Sequence, residues 1–287
     1  MTKLDVSVVI PAFGREKLAS QAVQSVLAQS SRAREIIVVD DGSAPPISRE
    51  IRKLGGNVRL IRLPVNNGVS HARNVGVLAA EAEYIAFLDS DDTWEPRRLE
   101  LAGTEIGKYS PSEKHIYFDN LVVKGRVISR PPARIDDPRV LAEGLVSSEL
   151  LIPTPSLIFH SQWRDILRFD EALQRHEDWD LLISAVVHDF KLINLDTSQV
   201  AVRSGALLNR LSAQRDRRSA MRFIQKNKSY ISPEIAVQFE DLNILNPRGR
   251  RLQYTAMVLQ YLSRKQVSKG GALARLLMAG GLRKVPD

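Results

Sequence analysis

The stretch that decides the fold is Ile85-Ala86-Phe87-Leu88-Asp89-Ser90-Asp91-Asp92-Thr93-Trp94, in which four apolar residues run directly into three carboxylates. The apolar half predicts a short strand that is buried on both faces. The carboxylates follow at the carboxyl end of this strand, where ligands bind in open α/β sheets. Carboxylates so close together repel one another, and a divalent cation such as Mg²⁺ or Mn²⁺ relieves that repulsion. The stretch therefore predicts a site for a metal and a diphosphate.

A helix cap is a simpler interpretation of the same carboxylates, since Asp and Thr favour the position before a helix. Residues 95–106 do predict a helix, with Pro96 in its first turn. A cap would account for one Asp. Three carboxylates directly after a buried strand favour the metal site.

Composition and length indicate a globular protein. The chain has 287 residues, of which 44% are hydrophobic and 26% charged, enough for one large α/β domain with an appendage or for two small domains. It has no cysteine, which excludes a disulfide framework, a thiolate metal site and a catalytic thiol. The sequence shows no signal-peptide pattern and no run near the roughly 20 apolar residues of a membrane span. We expect a cytoplasmic protein, because a reducing compartment suits this composition.

Strands and helices alternate along the first hundred residues, which predicts βαβ units in a mostly parallel sheet with helices on both faces. Acidic residues follow two of these strands, at Asp40-Asp41 and at residues 89–92. Parallel strands place both groups at the same edge of the sheet, so the carboxylates should converge on one cleft. The predicted strands span residues 6–10, 35–39, 58–63 and 84–88, and the predicted helices residues 16–29, 69–80 and 95–106, with a short helix ending at Leu54.

The later part of the chain is less regular and ends in a basic segment. From Arg203 onward there are 17 Lys and Arg against 5 Asp and Glu, whereas the rest of the chain is slightly acidic. We therefore predict an α/β domain over residues 1–205 and a basic helical extension over residues 206–287. Its apolar stripes suit either core packing or the interface of an anionic membrane. Predicted strands span residues 115–123, 125–129, 156–159, 190–195 and 199–203, and predicted helices residues 181–187, 213–228, 233–242, 248–263 and 267–279.

Four motifs follow one another along the first hundred residues: Val8-Val9-Ile10-Pro11-Ala12-Phe13-Gly14-Arg15, Val38-Val39-Asp40-Asp41-Gly42-Ser43, Asn67-Gly68-Val69-Ser70-His71-Ala72-Arg73-Asn74 and Phe87-Leu88-Asp89-Ser90-Asp91-Asp92. In this order they resemble the motifs of the family 2 glycosyltransferases with the GT-A fold, the Rossmann-like fold of nucleotide-diphospho-sugar transferases. A later segment, residues 169–180, is similar to the acceptor-side segment of that family. The resemblance covers about residues 4 to 203 and implies an enzyme of the kind that builds bacterial exopolysaccharide or lipopolysaccharide.

The resemblance implies a nucleotide-sugar site built from these motifs. Pro11 and Phe13 would border the base, and Asp41, beside Asp40, would accept a hydrogen bond from a base N–H, which suits the imide of uracil. Arg73 would approach either the diphosphate or a nearby carboxylate, since guanidinium groups bind both. The residues expected around the nucleotide sugar are Pro11, Phe13, Arg15, Asp40, Asp41, Arg73, Asp89 and Ser90.

The resemblance also implies the metal and the catalytic groups of an inverting transferase. Asp89 and Asp91 would hold the ribose and the metal, with Asp91 the better candidate for Mg²⁺ or Mn²⁺. Asp178 would be the general base that takes a proton from the acceptor hydroxyl, and Glu177 would orient it or the acceptor. Both acids could instead simply open a helix, and His176 and Trp179 are best explained as core residues.

Two departures from the family pattern bear on the reaction. Many relatives carry a metal-binding His near positions 203–205, where this chain has Arg203-Ser204-Gly205. The third metal ligand therefore stays open, and Arg203 or Arg210 could neutralise the diphosphate instead. The Gln-x-x-Arg-Trp motif of processive relatives is also missing, so we predict transfer of one sugar to each acceptor.

The leading hypothesis is a metal-dependent hexosyltransferase that uses a UDP-sugar and a glycan or polyprenyl-linked acceptor, with the basic extension at the inner face of the membrane. One alternative is a sugar-nucleotide nucleotidyltransferase. Such enzymes open with a Gly-rich loop, whereas residues 11–15 contain only one Gly. The other is a basic nucleic-acid-binding protein on an inactive scaffold. We do not expect nucleic acid as a partner, because clustered carboxylates repel phosphate.

Overall fold

A mixed sheet of eight strands and a small sheet of four form the framework in the computed structural model, which describes residues 3–123, 126–202 and 216–240. Strands are numbered along the chain. The large sheet contains β1 (Val6–Ala12), β2 (Glu35–Asp40), β3 (Val58–Arg62), β4 (Tyr84–Phe87), β6 (His115–Phe118), β9 (Arg134–Ile135), β10 (Ile158–His160) and β11 (Lys191–Asn194). The small sheet contains β5 (Thr93–Trp94), β7 (Leu121–Val123), β8 (Arg126–Ser129) and β12 (Val200–Val202).

The large sheet has the order β3-β2-β1-β4-β10-β6-β11-β9. The first four of these strands pair in parallel, as the sequence predicts. Strand β10 is antiparallel to both β4 and β6, and β9 is antiparallel to β11, so the sheet is mixed. The residue before β10, Leu157, lies beside the carboxyl end of β4, where Phe87 N donates to Leu157 O at 3.2 Å, so the chain enters β10 from that end. Strand β10 must therefore run the opposite way.

Helices cover both faces of the large sheet. Alternate residues of β1 enter different cores: Val9 packs in one with Phe87, and Val8 packs in the other with Val23. This alternation confirms strands that are buried on both faces. The helices are α1 (Glu16–Leu27), α2 (Ser48–Lys53), α3 (Val69–Ala79), α4 (Arg98–Ile106), α5 (Pro138–Val146), α6 (Glu177–Val187), α7 (Arg217–Asn227) and α8 (Pro233–Glu240).

Two local predictions need correction, and one helix was missed. The predicted strand over residues 115–123 is divided at Asp119 and Asn120, whose buried side chains bond to the loop before β12, so β6 and β7 lie in different sheets. The predicted helix over residues 95–106 begins only at Arg98, because Thr93–Trp94 pairs with β12. Helix α5 was not predicted. Its local signal is Asp137-Pro138, in which the Asp137 carboxylate caps the helix by accepting from the backbone N–H groups of Arg139 and Val140.

Helices α7 and α8 pack into the main core. Phe223 and Phe239 are buried in the same cluster as Leu182 of α6. Lys226 Nζ and Asn227 Nδ2 also bond to the buried carboxylate of Asp180, at 2.7 and 3.1 Å. The predicted boundary between residues 205 and 206 and the predicted helices over residues 248–263 and 267–279 lie outside the described residues. Within the described part of the chain, the helices are too short or too polar to cross a bilayer.

Candidate active site

An acidic cluster lies just beyond the carboxyl end of β4, where the sequence places it. Asp89, Asp91 and Asp92 each bring a carboxylate oxygen within 4.8 Å of the others. Asp92 N donates to Asp89 O at 3.1 Å, which closes the loop around the cluster. Asp89 and Asp91 are half-buried and Asp92 is almost fully buried. Three carboxylates that converge in this way suit a hard cation such as Mg²⁺ or Mn²⁺. Asp92 was missing from the predicted ligand set, although its place in the acidic run was a signal.

The loop after β1 adjoins this cluster. Arg15 Nη1 lies 3.1 Å from Asp91 Oδ2. Gly14 N donates to Ser43 Oγ at 2.8 Å, which ties the same loop to the end of β2. Phe13 is 54% exposed, whereas Pro11 is buried within β1. An exposed aromatic ring beside an acidic cluster is free to pack against a planar group of a ligand.

Asp40 and Asp41, which the sequence assigned to the nucleobase, shape the neighbouring loops. Asp40 accepts from Ser43 N at 3.0 Å and from Arg62 Nη1 at 2.8 Å. Asp41 accepts from the backbone N–H groups of Asn67 and Gly68, at 2.9 and 2.8 Å. These bonds fix the turn after β2 and the loop that leads into α3. Recognition of a base by either carboxylate remains a prediction.

Arg73 pairs with carboxylates, which is one of the two possibilities left open by the sequence. It lies on α3, is 3% exposed, and its guanidinium stands 5.0 Å from the ring centre of Phe169. Nη2 donates to Asp89 Oδ1 and Nη1 to Glu177 Oε1, both at 2.8 Å. Burial lowers the pKa of Arg73, but the charges of the Asp89 and Glu177 carboxylates raise it by more. The net pKa is therefore raised, and Arg73 stays protonated. Arg73 therefore joins the acidic cluster to α6.

Glu177 and Asp178 open α6 and face the cluster from the other side. Asp178 Oδ2 accepts from Thr154 Oγ1 at 3.0 Å, and Oδ1 accepts from Trp179 N at 2.9 Å. Burial raises the pKa of both acids, and the charge of Asp178 raises that of Glu177 further, against the opposing effect of Arg73. A carboxylate with a raised pKa near a metal site has the character of a general base.

The other residues considered from the sequence have different surroundings in the structure. Ser90 is half-buried between the two predicted metal ligands. His176 is 8% exposed and packs against the rings of Trp179 and Phe223 at 4.9 and 5.3 Å, so it is a core residue. Arg203 and Arg210 lie outside the described residues. Thr154 was missed, because nothing in its local sequence indicates a partner 24 positions away.

Sequence comparison matches part of the chain to known proteins. Residues 7–111 match the model of the family described as glycosyl transferase family 2. The succinoglycan biosynthesis protein ExoO of Rhizobium meliloti (strain 1021) is 34% identical over 198 residues, which are 63% of this chain and 56% of ExoO. The amylovoran biosynthesis glycosyltransferase AmsB of Erwinia amylovora is 28% identical over 206 residues, 67% of each chain. The chain thus spans little more than half the length of ExoO.

Structure comparison agrees on the fold. The crystal structure of S. aureus TarS 1-349 in complex with UDP-GlcNAc superposes with a TM-score of 0.62 over 90% of this chain and 81% of that one, at 18% identity. At this identity the likeness concerns the fold alone. It confirms the α/β architecture that the four motifs predicted.

Proposed function

We propose that the chain is an inverting glycosyltransferase, because residues 7–111 match the model of glycosyl transferase family 2 and the fold is that of a GT-A enzyme. It moves one sugar from a nucleoside diphosphate sugar, a UDP-sugar, to a glycan or lipid-linked acceptor in surface polysaccharide synthesis. One observation carries the proposal. Arg73 bonds to Asp89 of the acidic cluster and to Glu177, the neighbour of Asp178 on α6, so a metal-type site and a candidate base lie close together.

The donor side consists of the acidic cluster and the loop after β1. Asp91 and Asp89 would hold Mg²⁺ or Mn²⁺, with Asp92 close enough to contribute an oxygen. A bound cation stabilises the diphosphate as it leaves. Phe13 offers an exposed ring for the base, and Arg15 lies at the edge of the cluster. TarS structures with this fold were solved with UDP and UDP-GlcNAc, which makes UDP-sugars the first donors to test.

The acceptor side consists of the first turn of α6. Asp178 takes the proton from the acceptor hydroxyl as the oxygen of that hydroxyl attacks the anomeric carbon. The bond from that carbon to the diphosphate breaks, and the electron pair leaves with the nucleoside diphosphate. Attack from the face opposite the leaving group inverts the anomeric centre. Glu177 keeps Arg73 in place, since the two side chains bond at 2.8 Å.

The names of the relatives and the charge distribution suggest where the acceptor is found. ExoO and AmsB are named for succinoglycan and amylovoran biosynthesis, which supports an extracellular polysaccharide as the product. The excess of Lys and Arg after residue 203 supports contact with an anionic membrane, where a polyprenyl-linked acceptor would lie.

The test is transfer by the purified full-length protein. The protein is incubated with a panel of UDP-sugars and a polyprenyl-linked glycan acceptor, with and without Mn²⁺, and UDP release and labelled product are measured. Asp178→Asn should abolish transfer while leaving donor binding intact. Asp165→Asn, at an exposed carboxylate next to Arg164, which bonds to Ala80 ahead of β4, is the matched control and should keep wild-type rates. Equal rates in wild type and Asp178→Asn would refute the mechanism.

A further inference from the structure

A single buried turn lies between the acidic loop and the candidate base. It is the short 3-10 helix Thr154–Ser156, which follows Pro153 and precedes β10. Thr154 is 4% exposed and Ser156 fully buried. The sequence motifs gave this turn no role. Its contacts connect the two halves of the proposed site.

Side chains that follow the acidic cluster hold one side of the turn. Trp94 Nε1 donates to Pro155 O at 3.0 Å, and Arg98 Nη2 donates to Ser156 O at 2.6 Å. Arg98 also lies 4.2 Å from the ring centre of Trp94 and 3.1 Å from Asp119. Trp94 is two residues beyond Asp92, and both donors are buried. The turn is therefore fastened to the loop that carries the metal-type carboxylates.

The other side of the turn holds Asp178. Thr154 Oγ1 donates to Asp178 Oδ2 at 3.0 Å, while Trp179 N donates to Oδ1 at 2.9 Å. Each carboxylate oxygen thus has one donor, and together the two bonds oppose rotation of the carboxylate. Each oxygen keeps further lone-pair capacity for an acceptor hydroxyl.

We propose that Thr154 is a positioning residue: its hydroxyl fixes the orientation of the Asp178 carboxylate relative to the acidic loop, to which Trp94 and Arg98 fasten the same turn. This inference rests on the proposed role of Asp178 as the base. Correct alignment of a base and a reacting group accounts for a large part of a catalysed rate, and a misplacement of about 1 Å can cost about 100-fold. A hydroxyl that merely satisfied its own hydrogen-bonding need would not affect turnover in this way.

The experiment compares Thr154→Val, which keeps the shape and removes the donor, with Thr154→Ser, which keeps the donor. Steady-state transfer by the full chain should show kcat lowered by about 10- to 100-fold in Thr154→Val, with the KM for the UDP-sugar within about twofold of wild type. Thr154→Ser should recover most of kcat. If Thr154→Val does not fold, as judged by its thermal unfolding, Thr154→Cys supplies a weak donor of similar size and should give an intermediate kcat.

The outcomes separate this inference from the proposed function. Wild-type kcat in Thr154→Val or Thr154→Cys, or equal losses in Thr154→Ser and Thr154→Val, would overturn the positioning role alone. Asp178→Asn is measured in the same assay. If wild type transfers no sugar, or if Asp178→Asn keeps the wild-type kcat, the proposed function fails and the role of Thr154 fails with it.

Discussion

Arg73 donates a hydrogen bond to Asp89 across 2.8 Å from a position on α3 that is almost closed to solvent. The other terminal nitrogen of the same guanidinium, Nη1, donates to Glu177 at the same distance. The guanidinium is thus engaged by two carboxylates that are far apart in sequence, on the donor and acceptor sides of the candidate site. Its role in this structure is to hold the site together.

Replacement of Arg73 should destabilise the protein strongly. In Arg73→Met the neighbouring carboxylates lose their counter-charge, and removing one partner of a buried ion pair costs about 3–5 kcal/mol of the free energy of unfolding. Urea denaturation at neutral pH measures this loss. Arg73→Lys keeps the charge without the fork and should lose less.

The matched control for Arg73 is Arg34→Met, since Arg34 pairs with Asp5 at 3.4 Å on the exposed surface. Exposed pairs contribute about 0–1 kcal/mol, so this variant should unfold almost as wild type does. A loss below about 1 kcal/mol in Arg73→Met would contradict the role of Arg73 as a buried link.

Nucleotide binding should depend on both metal and Asp91. UDP with Mn²⁺, at about a hundred times its dissociation constant, should add roughly 2.7 kcal/mol to the free energy of unfolding. A thermal-shift assay detects such a change. Asp91→Ala should abolish the shift, because it removes the better candidate for the ion, and chelation of the metal should do the same in wild type. Asp165→Ala should respond as wild type does, and an equal UDP shift with and without metal would exclude the metal site.

The kcat of transfer should fall with acidification at a pH closer to neutral than the pKa of an ordinary carboxylate. Burial raises the pKa of Asp178, and the base acts only when deprotonated, so kcat should fall as the pH drops through this raised pKa. The hydrogen bond from Thr154 lowers the same pKa. Thr154→Val should therefore move the acid limb of the kcat profile to higher pH. An acid limb near pH 4, where ordinary carboxylates titrate, would argue against Asp178 as the base.

The parts of the fold that could be predicted are those determined by residues close together in the sequence. The β4 stretch joins an apolar run to its acidic cluster within ten residues, so pattern and chemistry appear together. Strand β10 has only three residues, and its direction depends on where the chain re-enters the sheet. Local periodicity contains no information on that point.

The same distinction between local and distant contacts explains which features of the site could be predicted. The acidic cluster at the end of β4 was predicted, because its carboxylates are neighbours along the chain, although only Asp89 and Asp91 were named as ligands. The partners of Arg73 lie 16 and 104 positions away, so the sequence left open a diphosphate or a carboxylate. Asp40 and Asp41 were assigned to a base by resemblance, whereas their bonds to the loops depend on tertiary contacts with Arg62, Asn67 and Gly68.

Helices α7 and α8 determine where the chain can be shortened to test membrane contact. Deletion from residue 213 onward would remove Phe223 and Phe239 from the core and leave the buried Asp180 without Lys226 and Asn227, so this variant should not fold stably. Deletion after Glu240 keeps these contacts while removing 9 Lys and Arg against 2 Asp. This shorter chain should unfold near the wild-type temperature.

The deletion after Glu240 should also lose binding to vesicles that contain anionic lipid, since each basic residue near such a surface contributes about 1 kcal/mol. Cosedimentation with anionic and neutral vesicles measures the difference. The full-length variant in which Arg248, Arg250 and Arg251 are changed to Gln is the matched control for charge. If charge attracts the membrane, it should bind less than wild type and more than the deletion. A folded deletion that still sediments fully with anionic vesicles would refute membrane contact through the residues after Glu240.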